Sequence, residues 1–282
     1  MIWKIKNRKF DLSRKGMVMG ILNLTDDSFS DGGAYATPEA AVARALAMEA
    51  EGAEIIDIGG ESTRPGADPV SQEEELARVL PVLEALQGKL KAAISIDTYK
   101  PAVARAALER GAEIINDITA LREEEMRSLA AETGAGVVLM HMKGTPKTMQ
   151  DQPWYSVGVV AEIAEFFRQR WLLSLRSGID SQAMVFDPGI GFGKTLSHNL
   201  ALLRQFPEVT VENRPVLLGV SRKGFISKVT KSEPQEDRFW PTLALTSTGR
   251  ELGARIFRVH DVRANVEALR MTEAILEGSA PA

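Results

Sequence analysis

The sequence of 282 residues contains no cysteine and only three histidines, and it has no apolar run as long as a membrane-spanning helix. The absence of cysteine excludes disulfides, thiolate nucleophiles and thiolate metal ligands. It also favours a reducing compartment, so we expect a cytoplasmic protein. Residues 1–11 lack the apolar stretch and cleavage site of a secretory signal, and we expect no membrane attachment.

The chain also lacks a strong excess of charge of either sign. It has 34 basic and 38 acidic side chains, which leaves a net charge of −4. Such a balance provides no general attraction for a polyanion, so we expect no nucleic-acid partner. Any anion that the protein binds must be held by a locally built site.

Short β-branched segments alternate with longer amphipathic ones, a pattern typical of parallel strands joined by crossover helices. Eight strands are predicted, at residues 17–22, 54–58, 93–96, 114–116, 136–140, 184–186, 216–219 and 256–259. An open doubly wound sheet would use fewer strands and usually carries a glycine fingerprint after its first strand, where this chain has Asn23 and Thr25. We therefore predict one domain over residues 1–282, a (β/α)8 TIM barrel whose bottom is closed by a short N-terminal β-hairpin within residues 1–15.

Polar side chains follow nearly every predicted strand. A single strand-terminal Asp or Asn commonly caps the next helix, but capping does not require so many of them to point at one axis. In a barrel the carboxyl ends of all strands meet at one mouth, so these side chains should converge. They are Asn23, Asp57, Asp97, Asn116, Asp187, Lys223, Arg258 and His260.

The converging groups differ in chemical character. Carboxylates and amides can read the N–H edge of a nitrogen heterocycle, whereas lysine and arginine suit phosphate groups. An amide oxygen such as that of Asn23 beside phosphates also suits magnesium. The pattern predicts a planar polar ring that bears a phosphorylated arm. The glycine-rich run at residues 187–194 lacks the Walker spacing, and we interpret it as a flexible, backbone-rich loop.

Eight motifs together resemble the dihydropteroate synthases of folate biosynthesis, in order from residue 17 to residue 261. They read GILNLTDDSFSDGG at 20–33, DIGGESTRPG at 57–66, SIDT at 95–98, IND at 115–117, LMHM at 139–142, DPGIGFGK at 187–194, SRK at 221–223 and RVHD at 258–261. This family condenses 6-hydroxymethyl-7,8-dihydropterin diphosphate with p-aminobenzoate on a TIM barrel, giving 7,8-dihydropteroate and diphosphate. The resemblance implies a dissociative substitution, inhibition by sulfonamides that mimic p-aminobenzoate, and a homodimer formed through the last helices.

The resemblance also implies roles for individual residues. The pterin ring would be held by Asp97, Asn116, Met140, Asp187, Phe192 and Lys223. The diphosphate would be bound by Asn23, Arg64, Arg258 and His260, with Asn23 acting through Mg²⁺. The p-aminobenzoate pocket would comprise Phe29, Thr63, Arg64, Pro65, Lys223 and Gly224, with Asp27 or Asp31, on loops that close over the site. The implied catalytic residues are Asp97, Lys223, Arg258 and His260.

Three positions depart from the family pattern. Asp26 stands where the first loop usually has proline, which exchanges a rigid residue for a flexible anionic one. Gly224 follows Lys223 where serine or arginine is common, and the run FWPT at 239–242 replaces a small, glycine-containing one. We hypothesise that these changes alter the affinity for p-aminobenzoate or the discrimination against sulfonamides.

Two other functions fit part of the pattern. Corrinoid-linked methyltransferases that act on methyltetrahydrofolate share pterin-reading Asp and Asn side chains on a barrel. They should not need cations for a diphosphate, and this chain has Arg64, Lys223 and Arg258 in matching motifs. A non-catalytic pterin-binding homologue, in which the departures have abolished turnover, is the second alternative.

Overall fold

The computed structural model of the chain describes residues 1–25, 37–231 and 238–279. Four residues assigned to the first loop, Asp26, Asp27, Phe29 and Asp31, lie outside the described residues. The chain begins with an antiparallel hairpin of β1 (Ile2–Ile5) and β2 (Arg8–Asp11), in which Trp3 is paired with Phe10. The predicted N-terminal hairpin is therefore confirmed.

Eight parallel strands follow and form a nearly closed barrel, as predicted. They are β3 (Met17–Asn23), β4 (Ile55–Gly59), β5 (Ala93–Asp97), β6 (Ile114–Asp117), β7 (Gly136–Met140), β8 (Met184–Asp187), β9 (Leu217–Leu218) and β10 (Ile256–Val259). The order in the sheet is β8-β7-β6-β5-β4-β3-β10-β9. A parallel bridge between Phe186 and Val216 brings β8 beside β9, where the barrel closes. The strands are almost entirely buried, as expected for parallel strands that are covered on both faces.

Helices surround the barrel. They are α1 (Pro38–Ala50), α2 (Gln72–Leu86), α3 (Pro101–Glu109), α4 (Glu124–Thr133), α5 (Val159–Arg176), α6 (Leu196–Arg204), α7 (Gly224–Thr230), α8 (Phe239–Glu251) and α9 (Val262–Glu277). Local chemistry sets several starts: the Thr37 hydroxyl accepts from the Ala40 amide at 3.3 Å, and Pro38 occupies the first turn. No helix in the described ranges combines the length and apolarity needed to cross a membrane.

Two apolar layers hold the barrel together. One lies between the strands and the helices, and the other fills the barrel interior at its bottom, where the hairpin inserts Trp3 and Ile5. The Trp3 indole is fully buried and donates to the Ala183 carbonyl at 2.9 Å. Gly136 is small because Ile5 occupies the adjacent space, where an added Cβ would lie 2.9 Å from Ile5 Cγ1. The hairpin thus closes the bottom, which leaves the opposite mouth for ligands.

Candidate active site

A cavity of about 780 Å³ opens at the carboxyl ends of the barrel strands, within the usual size range of small-molecule sites. Every predicted site residue in the described part of the chain lines it. They are Asn23, Thr63, Arg64, Pro65, Asp97, Asn116, Met140, Asp187, Phe192, Lys223, Gly224, Arg258 and His260. Phe29 is outside the described residues. Residues from distant parts of the sequence are thus brought to one site by the ends of the strands.

Four polar side chains lie at the base of the cavity: Asp97, Asn116 and Asp187 line it and form what we call its floor, and the fully buried Asp57 lies behind them. Arg258 joins two of them, since its Nε donates to Oδ2 of Asp57 at 2.6 Å and its Nη2 to Oδ2 of Asp97 at 2.7 Å. Asn116 Nδ2 also donates to Oδ2 of Asp57, at 3.1 Å. The sequence pattern placed Asp57 at a strand end without a role. In the structure it is fully buried and orients both Arg258 and Asn116.

Burial controls the protonation of the floor. Burial raises the pKa of Asp97 to about 7, with Arg258 opposing this and the Asp57 carboxylate adding to it. Burial also raises the pKa of Asp187, with the Lys223 ammonium opposing it. At neutral pH Asp97 can therefore exist in either form. It can accept two N–H bonds as a carboxylate, or donate one hydrogen bond as an acid.

The glycine-rich run 187–194 forms one wall of the cavity. Lys223 Nζ donates to the Ile190 carbonyl at 2.5 Å and lies 4.6 Å from the ring centroid of Phe192. Burial lowers the pKa of Lys223 to about 8, while Asp187 opposes the shift and Arg258 adds to it. This arrangement places a cation against an aromatic ring and beside the Asp187 carboxylate.

This run is packed closely against the end of β7, which differs from its interpretation as a flexible loop. Gly189 has a φ of +62°, and a Cβ there would lie 2.0 Å from the His141 carbonyl oxygen. Nζ of the buried Lys194 donates to the carbonyls of Phe192, at 2.8 Å, and His141, at 3.3 Å. Glycine is therefore required for close backbone approach as well as for the turn.

The cationic and imidazole side chains of Arg64, Lys223, Arg258 and His260 form what we call the rim. His260 Nδ1 lies 2.9 Å from Ser221 Oγ, and the same hydroxyl accepts from the His260 backbone amide at 3.2 Å. When the Ser221 hydroxyl donates its proton to Nδ1, the neutral imidazole carries its own proton on Nε2. Burial lowers the pKa of His260 to about 3, and the surrounding cations, Arg258 first, lower it further. His260 is therefore a neutral imidazole, whereas its neighbours Lys223 and Arg258 are cations, and in this tautomer it presents an Nε2–H donor to the cavity.

Arg222 links the segment that carries Lys223 to the segment that carries His260. It has a φ of +57°, a costly conformation for a residue other than glycine. Its guanidinium binds both carboxylate oxygens of Asp261, at 2.6 and 3.0 Å. This bidentate pair holds the kink that directs Ser221 and Lys223 toward the cavity.

The segment 60–70 after β4 supplies Thr63, Arg64 and Pro65 to the cavity. The Gly66 amide donates to the Pro146 carbonyl at 3.0 Å, which fastens the segment to the loop after β7. At Gly224 an added Cβ would meet no atom of the described residues within 4 Å, so this position opens onto space that these residues do not fill. Gly224 thus leaves room in the cavity that a serine would occupy.

The donor groups fit magnesium only together with ligand oxygens. In the described ranges, no group of three or more His, Cys, Asp or Glu side chains could hold a metal ion. Asn23 lines the cavity at the end of β3, and β3 is paired with β10, which carries Arg258 and leads to His260. One amide oxygen among anion-binding groups matches the way Mg²⁺ is usually held, through a few protein oxygens and the phosphates of a substrate.

Comparison with known proteins agrees with this geometry. A family model described as pterin binding enzyme matches residues 19–260. The dihydropteroate synthase of Escherichia coli K12 is 49% identical over 259 residues, which cover 92% of this chain and 91% of the relative. The structure of Yersinia pestis dihydropteroate synthase with a sulfonamide drug complex has a TM-score of 0.92 and 42% identity, and the match covers 99% of this chain and 100% of that one.

A second solved structure is that of Xanthomonas albilineans dihydropteroate synthase with 4-aminobenzoic acid. It has a TM-score of 0.89 and 44% identity to this chain, and the match covers 98% of both chains. These similarities extend over nearly the whole length of each protein. The chain belongs to the dihydropteroate synthase family of pterin-binding enzymes.

Proposed function

We propose that this chain condenses 6-hydroxymethyl-7,8-dihydropterin diphosphate with p-aminobenzoate to give 7,8-dihydropteroate and diphosphate. The division of the cavity into a carboxylate and amide floor and a cationic rim carries this proposal. The floor residues Asp97, Asn116 and Asp187 match the polar edge of a pterin, and Met140 and Phe192 supply apolar contact to its ring. The Xanthomonas albilineans relative was solved with 4-aminobenzoic acid, which is the proposed second substrate.

The rim would act on the leaving group. The carbon–oxygen bond breaks first, and its electron pair leaves with the diphosphate while the electron-rich dihydropterin stabilises the cation. The nitrogen of p-aminobenzoate then forms the new bond and releases a proton. Arg258, Arg64 and the Nε2–H of His260 would bind the diphosphate oxygens. Removal of one such contact commonly costs about 3–4 kcal/mol in the barrier.

Lys223 lies between the two halves of the site, since it neighbours Asp187 on the floor and lines the rim. It would hold the pterin next to Phe192 and provide positive charge near the reacting carbon. Mg²⁺, bound by Asn23 and diphosphate oxygens, would neutralise the leaving group. Asp97, Lys223, Arg258 and His260 are thus the proposed catalytic residues.

One assay tests the activity. The purified protein is incubated with the pterin diphosphate, and diphosphate release is measured with and without p-aminobenzoate and with and without Mg²⁺. Release that requires both supports the proposal. Absence of release, with tight binding of the pterin, would instead identify a non-catalytic homologue. Methyl transfer from methyltetrahydrofolate to a corrinoid would indicate the methyltransferase alternative, which does not account for the cationic rim.

We also propose that the chain forms a homodimer through α9. Met271, Ile275 and Leu276 expose 62%, 68% and 50% of their surfaces along this helix. Exposed apolar side chains grouped on one helix are typical of a subunit interface. Sedimentation of the wild type at dimer mass, and of a Met271→Glu/Ile275→Glu variant at monomer mass, would support this interface. Fractionation of cells would test the proposed cytoplasmic location.

A further inference from the structure

A buried ion cluster beside the cavity contains groups that the proposed reaction does not use. Lys100 Nζ donates to Oε2 of Glu75 at 2.5 Å and to Oε2 of Glu61, and the Tyr99 hydroxyl donates to Oε1 of Glu61 at 2.9 Å. The side chains of Lys100, Glu61 and Glu75 are only 15%, 6% and 1% exposed. Burial opposes the charge on Lys100, but its bonds to the two carboxylates raise its pKa, so it remains an ammonium.

The cluster lies at the start of segment 60–70, which carries Thr63 and Arg64. We call this start, Gly60 and Glu61, the root of the segment. Glu61 is two residues before Thr63, and Lys100 is the N-cap residue of α3, three residues after Asp97. The root is fixed from a second direction, because Arg78 Nη1 donates to the Gly60 carbonyl at 2.8 Å. Beyond the root the segment is exposed at Arg64, Pro65 and Gly66. The cluster therefore marks the joint between the rigid barrel and an exposed binding segment.

The composition of the cluster is not explained by stability alone. Two carboxylates share one ammonium, and Oε1 of Glu75 is buried without a hydrogen-bond partner in the described ranges. Removing ions from water costs several kcal/mol per ion, and apolar residues of similar volume are often at least as stabilising. Directional bonds from Lys100 and Tyr99 do, however, fix the side-chain rotamer and the backbone position of Glu61, which apolar packing does less strictly.

We infer that Glu61, Tyr99 and Lys100 are positioning residues for the second substrate. This inference rests on the proposed function. They hold the root of segment 60–70 so that Thr63 and Arg64 face the cavity before p-aminobenzoate arrives. Because the segment is ordered during folding, less conformational entropy is lost on binding. Pterin binding should not depend on the cluster, since Asp97, Asn116 and Asp187 belong to strand ends.

The test uses Glu61→Leu, which removes the contacts of Lys100 and Tyr99 to Glu61 and leaves the ion pair between Lys100 and Glu75 in place. We expect the KM for p-aminobenzoate to rise about tenfold, equivalent to about 1.4 kcal/mol, with kcat reduced less than threefold. The Kd for the pterin diphosphate, measured by titration calorimetry, should change less than twofold. The milder Tyr99→Phe variant removes one hydrogen bond and leaves the ion pairs, so it should raise the same KM by a smaller factor without impairing folding.

A matched control is the second buried ion pair, between Arg250 and Glu273, whose side chains are 5% and 6% exposed and 2.8 Å apart. It lies at the bottom of the barrel, where Glu273 also accepts from the Gly16 amide. Arg250→Met/Glu273→Gln should lower stability without changing either substrate constant. An unchanged KM for p-aminobenzoate in both cluster variants, or an equal loss of pterin affinity, would overturn the inference. An inactive wild type would instead refute the proposed function.

Discussion

Oδ2 of Asp97 accepts a hydrogen bond of 2.7 Å from Nη2 of Arg258, and this contact joins the floor of the cavity to its rim. Arg258 at the same time holds the fully buried Asp57 through its Nε. The residue expected to bind diphosphate therefore also compensates the charge of the pterin-reading floor. The protonation of Asp97 and the position of Arg258 must be coupled, because each depends on the charge of the other.

The first prediction concerns Asp97, whose pKa burial raises to about 7. If the carboxylate accepts pterin N–H groups, kcat/KM for the pterin diphosphate should rise with pH through about 7 and level off above it. Asp97→Asn should abolish this limb and lower kcat/KM by roughly 10- to 100-fold, since hydrogen bonds to charged groups contribute about 1.5–3 kcal/mol. A pH–rate profile of both proteins measures this, and a wild-type profile that is flat from pH 6 to 8 (about one unit either side) would contradict it.

The Asp97 carboxyl should also make the free energy of unfolding depend on pH. The folded-state pKa of Asp97 is raised from 3.8 to about 7, so the folded protein holds a proton that the unfolded chain releases in this range. Its contribution to the free energy of unfolding is therefore present below pH 3.8 and is lost as the pH rises through about 7. Urea unfolding at several pH values should show that the free energy of unfolding declines less with rising pH in Asp97→Asn than in the wild type.

Lys223 should produce the opposite limb of the rate profile. Its pKa is lowered by burial to about 8, so the ammonium is lost as the pH rises above this value. We expect kcat/KM to fall there. Arginine remains protonated at this pH, so Lys223→Arg should keep the remaining activity constant across the range. If the falling limb persists unchanged in the arginine variant, another group is responsible for it.

Ser221 should fix the tautomer of His260. In the wild type, ¹⁵N spectra of the imidazole should show a neutral ring at pH 7, because the pKa of His260 is lowered to about 3. If Ser221 donates to Nδ1, that ring should be protonated at Nε2. Ser221→Ala removes the donor to Nδ1, and the spectra should then show a mixture of tautomers. We expect kcat to fall by about tenfold, equivalent to one hydrogen bond of about 1.4 kcal/mol. Ser174, also fully buried but on α5, provides the control, since Ser174→Ala should leave the His260 signals unchanged.

Gly224 should influence inhibitor selectivity. A Cβ added there meets no atom of residues 1–25, 37–231 and 238–279 within 4 Å, so Gly224→Ser should fold with unchanged stability. The added hydroxyl should lower the KM for p-aminobenzoate severalfold and change the ratio of the sulfonamide inhibition constant to that KM. Gly224→Ala separates the hydroxyl from the added volume. Identical ratios in all three proteins would contradict the hypothesis at this position. The corresponding hypothesis for Asp26 concerns a residue outside the described ranges and remains a prediction, tested by Asp26→Pro.

Gly189 should be essential to the wall of the site. Gly189→Ala would place a Cβ 2.0 Å from the His141 carbonyl oxygen, whereas a Cβ on Gly134, which has the same φ of +62°, would meet no atom in the described part of the chain within 4 Å. Gly134→Ala should cost about 1 kcal/mol from backbone strain alone. Gly189→Ala should cost about 1–3 kcal/mol more, from the clash, and weaken pterin binding because Phe192 moves. Equal unfolding midpoints for the two variants would contradict this prediction, because they would show that the run 187–194 shifts to accommodate the Cβ without loss of stability.

The barrel and the residues that line its cavity could be predicted from the sequence for a physical reason. Parallel strands buried on both faces appear as β-branched runs, and strand ends in a barrel must share one mouth. All eight predicted strands are present, although β9 is limited to Leu217–Leu218 within the predicted range 216–219. The convergence of Asn116 and Asp187 follows from the same rule.

The electrostatic arrangement within the site was not accessible in the same way. The contact between Asp57 and Arg258 joins residues that are 201 positions apart, and no local pattern predicts it. His260 resembles a cation beside Lys and Arg, yet burial and those same cations keep it neutral. The wall at 187–194 has a glycine pattern typical of mobile loops, but the close approach of Gly189 to His141 and of Gly193 to Lys143 explains two of its three glycines. These features depend on distances in the folded protein.

The hairpin of β1 and β2 at the bottom of the barrel has a consequence for biosynthesis. Trp3 is synthesised before β8, and its indole donates to the carbonyl of Ala183, 180 positions later. The hairpin therefore cannot reach its final seat until the chain has been made as far as β8. Until then its apolar face stays exposed to chaperones and to other nascent chains, as is usual for long-range contacts.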